Sequence, residues 1–127
     1  MASIIKEFSL RANADQVWDA LKDFGALHTR LVPGFVTDTK LNDDVRTVTF
    51  ANGNVAKEYL VSTDDAARRL VYGIAANERV RHYSASAKVH SDGTSSRFAW
   101  TVDVLPNELA PYISSQMDLG VAAMKKA

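Results

Sequence analysis

Few residues in this sequence combine a reactive type with a spacing that could do chemistry. The three histidines, His28, His82 and His90, are scattered rather than set at metal-ligand intervals, so no metal site is expected. There is no cysteine, which excludes disulfides, thiolate nucleophiles and Cys-ligated metals. Asn-Gly and Asp-Gly pairs read as turns rather than phosphate cradles, and no serine lies in a nucleophile-elbow context. What remains is a pair of charges, Arg46 and Glu58, inside two successive β-rich segments. Turned inward, they would form a buried ion pair across neighbouring strands or offer polar groups to a ligand. Turned outward, they are ordinary solvated charges. Alternation leaves both orientations open. Arg46, Val48 and Phe50 oppose Val45, Thr47 and Thr49, while Ala56, Glu58, Leu60 and Ser62 oppose Val55, Lys57, Tyr59 and Val61.

Composition narrows the setting for such a pair. With 127 residues, the chain has the length of one domain and no room for a second. Lys plus Arg balances Asp plus Glu at 15 each, which argues against nucleic acid or an anionic membrane surface as the main partner. The N-terminus turns polar after two apolar residues, unlike a secretory signal, and no apolar run approaches membrane-spanning length. These features lead to the expectation of a cytoplasmic protein without stable membrane insertion. The oligomeric state is not legible in the residues.

The elements that must position Arg46 and Glu58 can be read in order. Residues 3–10 alternate as a first strand. Asn13 and Gln16 form an Asn version of the capping box, and Val17, Ala20, Leu21 and Phe24 mark one face of a short helix ended by Gly25. Residues 26–33 are expected to add another short helix before Pro33-Gly34. Strands are then predicted over 35–41, 45–51, 55–62, 69–75, 83–90 and 96–105. Turn chemistry separates them at Asn42-Asp43-Asp44, Asn52-Gly53, Asp64-Asp65, Asn77-Glu78 and Asp92-Gly93, with a type I′ hairpin expected at Asn52-Gly53. Pro111 opens a last helix over 111–125, whose apolar stripe is Ile113, Met117, Gly120, Val121 and Met124. The fold class is α+β: a meander of antiparallel strands curled over the final helix.

Alternation orients several strands without ambiguity. Phe98, Trp100, Val102 and Val104 share one face of the last strand and must point inside. Leu70, Tyr72 and Ile74 group together, as do Tyr83, Ala85, Ala87 and Val89. His82, next to Tyr83, then faces outward, and His90 is expected to be exposed. Small alanines beside large aromatics leave either a concave face with free space or a seat for the last helix. Gly120 is costly within a helix, so a ligand or a packed Trp100 is expected to approach it closely.

The order of Val45-Arg46-Thr-Val-Thr-Phe, Asn52-Gly53, Lys57-Glu58-Tyr-Leu, Asp64-Asp65, Leu70-Val-Tyr72 and His82-Tyr83 resembles the polyketide cyclase/dehydrase family. That family lies within the START-like helix-grip superfamily, which includes the birch-pollen allergen and the plant abscisic-acid receptors. Val17-Trp18, Phe24-Gly25, Trp100 and Pro106 extend the likeness over nearly the whole chain. The resemblance implies a seven-stranded sheet gripping the C-terminal helix, with a cavity between them open at one end. It also implies that Arg46, Glu58, Tyr72 and Tyr83 point inward, with Tyr112, Gln116 and Gly120 facing them from the helix. Val48 and Phe50 then join Arg46 on the wall, with Ile74, Ala85 and Trp100 alongside. The chain departs from the hormone receptors: Leu31 stands where they carry a ligand-pairing lysine, and their gate loop is reduced to Ala51-Asn52-Gly53-Asn54. A hormone-receptor role is therefore not expected.

These readings lead first to a module that binds a small hydrophobic molecule, without a cofactor, as carrier, sensor or sequestering protein. A second reading is a cofactor-free cyclase or dehydratase. Glu58 would be its general acid or base, while Arg46 and a phenol of Tyr72 or Tyr83 stabilise an enolate. In the alternative, Arg46 and Glu58 merely neutralise each other in the wall. A third reading is a protein-interaction domain whose groove receives a peptide.

Overall fold

The computed structural model describes residues 1–127. Strand β1 (Ala2–Leu10) leads into helix α1 (Ala14–Lys22), and a π-type turn (Leu27–Leu31) follows. Strands β2 (Val36–Asn42), β3 (Val45–Phe50), β4 (Val55–Asp64), β5 (Arg69–Ile74), β6 (His82–Asp92) and β7 (Ser95–Leu105) come next. A short 3-10 turn (Asn107–Leu109) precedes the long helix α2 (Ala110–Lys126). The seven strands form one sheet in the order β1-β7-β6-β5-β4-β3-β2, and every neighbouring pair is antiparallel. This is an α+β helix-grip architecture, in which the sheet curves around α2.

Local chemistry accounts for most of the elements. The Asn13 side chain accepts a hydrogen bond from the Gln16 N–H, and the Gln16 side chain accepts one from the Asn13 N–H, completing the capping box of α1. Arg30 ties the π-type turn back to α1 through Asp19 at 2.6 Å and Asp23 at 3.1 Å. That segment is the second short helix expected within 26–33, wound as a single π-type turn. The β3–β4 connection also differs from expectation. It spans four residues, 51–54, and only Gly53 has a left-handed backbone, with φ +89°. A type I′ hairpin needs positive φ at two successive residues, so Asn52-Gly53 does not form one.

Two β-bulges interrupt the ladder, one between Val36 and Asp38 and one between Leu60 and Ser62. An extra residue on one strand bends it and increases its twist, which helps the sheet wrap. The bulge at Val61 also shifts the facing of β4. Glu58 is buried, whereas Ser62, expected on the same face, is exposed.

The core lies between the concave face and the helices. Phe98, Val102 and Val104 of β7 are fully buried, and Phe8 stacks on Phe98 with ring centroids 5.2 Å apart. Helix α2 approaches the sheet most closely at β1, where Lys6 reaches Asp118 at 3.0 Å and Ser114 at 2.8 Å. Its buried stripe is Met117, Gly120, Ala123 and Met124. Gly120 is where helix and sheet meet without a side chain between them. A Cβ there would stand 3.1 and 3.2 Å from the Trp100 ring and 3.4 Å from Phe35. Packing against Trp100 therefore accounts for the glycine. Gly120→Leu is expected to push Trp100 and Phe35 aside and destabilise the fold by about 1–3 kcal/mol, read as a lower urea midpoint.

Candidate functional site

Between α2 and the β3–β5 part of the sheet lies a cavity of about 720 Å³. That is within the range of small-molecule pockets, about 300–1,000 Å³. Of its 30 lining residues, 23 are hydrophobic, so an occupant is held mainly by burial of apolar surface. The exposed lining residues cluster at one end. Asn54 of the β3–β4 turn, Val55 at the start of β4, Ala75, Ala76, Asn77 and Arg79 after β5 and Tyr112 of α2 frame the mouth there. The Asn54 amide donates a hydrogen bond to the Tyr112 hydroxyl at 3.0 Å across that rim.

The charged pair sits in the wall. Arg46 and Glu58 are directly opposite each other in the β3–β4 register, and each is only 4% exposed. The Arg46 Nε donates to Glu58 Oε1 at 2.8 Å, and Nη2 lies 2.7 Å from the same oxygen. Nη1 donates to the Phe24 carbonyl at 3.3 Å. The guanidinium also lies over the Phe24 ring at 3.9 Å and near the Tyr72 ring at 5.1 Å. The orientation that alternation left open is therefore inward for both residues. A charge this deep is tolerated only because its partner and its hydrogen bonds replace water.

Two phenols complete the polar part of the wall. Burial pushes the Tyr72 hydroxyl well above an ordinary phenol pKa, and the negative charge of Glu58 adds to the shift while Arg46 opposes it. Burial likewise raises Tyr83, with Tyr72 and Glu58 contributing in the same direction. Both side chains are neutral hydrogen-bonding groups at any physiological pH. No three metal-ligating side chains come together anywhere in the chain. His82, the first residue of β6, is exposed, and His90 is half-buried rather than exposed.

Arg46, Phe50, Glu58, Tyr72, Ile74, Tyr83, Trp100, Tyr112 and Gln116 line the cavity. Three residues expected in the wall do not. Val48 and Ala85 are buried in the core and do not border the cavity. Gly120 is covered by Trp100. A concave sheet exposes only part of its inner face to the cavity, and facing inward is therefore not sufficient. Other wall residues came from segments whose alternation carries no signal. Leu27, Leu31 and Val32 belong to the π-type turn and its exit, and Ala76 and Val80 to the β5–β6 loop. Ile113, Met117 and Met124 were visible in the apolar stripe of α2, but periodicity alone does not separate cavity wall from packed core.

A family model described as polyketide cyclase/dehydrase and lipid transport matches residues 1–127. The chain belongs to that family. No curated protein sequence matches it. Solved structures similar to it include the protein XoxI from Bacillus cereus, 20% identical, with a TM-score of 0.88 over 99% of this chain and 94% of that one. Truncated norcoclaurine synthase from Thalictrum flavum is 20% identical, with a TM-score of 0.73 over 98% of this chain and 91% of that one. The di-domain aromatase/cyclase BexL, from the BE-7585A biosynthetic pathway, is 17% identical, with a TM-score of 0.82. There the match covers 99% of this chain but 46% of BexL. At such identities the likeness is one of fold.

Two outcomes test the wall. Glu58→Ala leaves the Arg46 guanidinium buried without its counter-charge and is expected to destabilise by about 3–5 kcal/mol, read by urea unfolding. The tyrosines give a pH signature. With their folded pKa values above the unfolded value of about 10, their contribution to stability is complete below pH 10 and falls as the pH rises beyond it. Between pH 9 and 11 the wild-type urea midpoint is expected to drop, and the Tyr72→Phe/Tyr83→Phe double variant to drop less.

Proposed function

We propose that this protein binds a small, mostly apolar molecule in the cavity between α2 and the sheet, as a carrier or sensor. The observation that carries the reading is the coexistence of a 720 Å³ space with a single buried polar station, Arg46–Glu58 with Tyr72 and Tyr83. An apolar enclosure supplies affinity, and a few fixed polar groups orient the occupant. A domain that needed only stability would gain by filling such a volume, because unfilled space costs packing energy. The name of the family, which includes lipid transport, agrees with a binding role.

A second reading is favoured by one specific feature. Both Arg46 contacts on the carboxylate go to Oε1 of Glu58, which leaves a carboxylate oxygen for an occupant beside the neutral, mutually neighbouring phenols of Tyr72 and Tyr83. Such a set could move a proton in a cofactor-free cyclisation or dehydration, with the phenols stabilising an enolate. Binding comes first in either case.

Native mass spectrometry of protein purified from its own cells is expected to show a retained small molecule. Ala56→Phe provides the control. Ala56 is half-buried, lines the cavity and shares the inner face with Glu58, so a phenyl ring there occupies the space. That variant is expected to stay folded and to lose the retained mass. An occupant at about 100 times its dissociation constant raises stability by about 2.7 kcal/mol, so wild type alone should show the thermal shift. A molecule retained equally by both proteins would place the binding elsewhere.

A further inference from the structure

The chemistry of the polar station restricts what the cavity can accept. The Arg46 contacts at Nε, Nη1 and Nη2 are all with the protein, and the ring of Phe24 covers one face of the guanidinium. Three of its donors are thereby engaged with Glu58 and the Phe24 carbonyl, and its charge is already offset by the Glu58 carboxylate. No hydrogen bond from the protein reaches Glu58 Oε2, whereas Oε1 takes both Arg46 contacts. The buried polar side-chain atoms sealed without a partner are His28 Nδ1, Thr39 Oγ1 and Ser96 Oγ, and Oε2 is not among them. Since Glu58 lines the cavity, its free oxygen faces the open space. The other positive residues along the lining, Lys57 and Arg79, are exposed rather than buried with this station.

We infer that the cavity selects an uncharged apolar molecule bearing a hydroxyl, or an equivalent hydrogen-bond donor, at its inner end. That donor is received by Glu58 Oε2, and carboxylates are rejected. The inference rests on the cavity being the binding site. An anion carried to this depth would leave water and meet a carboxylate oxygen with no free cation beside it. An apolar molecule with no donor would leave Oε2 desolvated and unpaired. A hydroxyl satisfies it with a charge-assisted hydrogen bond. Sites built to hydrogen-bond a hydroxyl discriminate strongly against analogues that lack it, because their own buried groups are then left unpaired. The neutral phenols of Tyr72 and Tyr83 can donate to or accept from a second oxygen of the same molecule.

Three probes sharing one ring system test this on the full chain at pH 7: 2-naphthol, which donates; 2-methoxynaphthalene, which only accepts; and 2-naphthoate, which is anionic. Dissociation constants come from isothermal titration of wild type, Glu58→Gln and the cavity-filling Ala56→Phe. The expected order is 2-naphthol tightest, 2-methoxynaphthalene weaker by about tenfold or more, and 2-naphthoate weakest. Glu58→Gln, with a neutral amide, is expected to narrow the gap between 2-naphthol and 2-naphthoate. Should that variant not fold, the wild-type order still decides. Equal affinity for 2-naphthol and either of the other probes, abolished by Ala56→Phe, overturns the donor rule while leaving the cavity as the site. Binding that survives Ala56→Phe, or no binding by any probe, overturns the cavity reading and this inference with it.

Discussion

The buried ion pair between Arg46 and Glu58 is the interaction around which the wall of this protein is assembled. Its guanidinium joins β3 to β4 through Glu58, to the end of the first helical segment through the Phe24 carbonyl and ring, and approaches β5 through the Tyr72 ring. Four stretches of chain that are distant in sequence converge on one planar group. Arginine suits the task because its several donors and its flat faces can be engaged at once. The same pair defines the electrostatics of the interior. Its charges cancel overall, yet both Arg46 contacts on the carboxylate fall on one oxygen, Oε1, and the other accepts no hydrogen bond from the protein.

That space follows from geometry. A seven-stranded sheet that twists and bulges at two places presents a concave face broader than one helix can cover. Helix α2 is anchored at the β1 edge through Lys6, Asp118 and Ser114 and is pressed onto Trp100 at Gly120. Its first turns then stand away from β3, β4 and β5, and the gap between them is the cavity. The helix is close where the sequence removed a side chain and distant where it kept Tyr112, Ile113 and Gln116. The close packing of helix on sheet lies on the β7 side and the cavity on the β3–β5 side.

The family to which the chain belongs carries both cyclase and lipid-transport in its description, and similar folds occur in norcoclaurine synthase and an aromatase/cyclase. One architecture can serve such different purposes because the grip of sheet on helix sets only the enclosure. What happens inside depends on which polar groups the wall presents and whether they are already paired. Here the groups are few: one half-engaged carboxylate, one engaged guanidinium and two phenols kept neutral by burial.

The residues by themselves determined the succession of elements. The capping box at Asn13 and Gln16, the β-branched runs and the apolar stripe of α2 are local signals, and local hydrogen bonding and burial periodicity act on them directly. They also determined which face of β7 is inside, because the large apolar Phe98, Trp100, Val102 and Val104 alternate with Arg97, Ala99, Thr101 and Asp103. The facing of β3 and β4 could not be read this way, since each of their faces mixes apolar residues with polar or charged ones. Only the register between them, which sets Arg46 against Glu58, shows that two charges share one buried site. The turn at 51–54, the slip of β4 at Val61 and the exclusion of Val48, Ala85 and Gly120 from the wall were likewise decided by tertiary structure. In each case the deciding contact comes from residues far along the chain, and periodicity within a single strand or helix carries no information about a partner that only folding brings near.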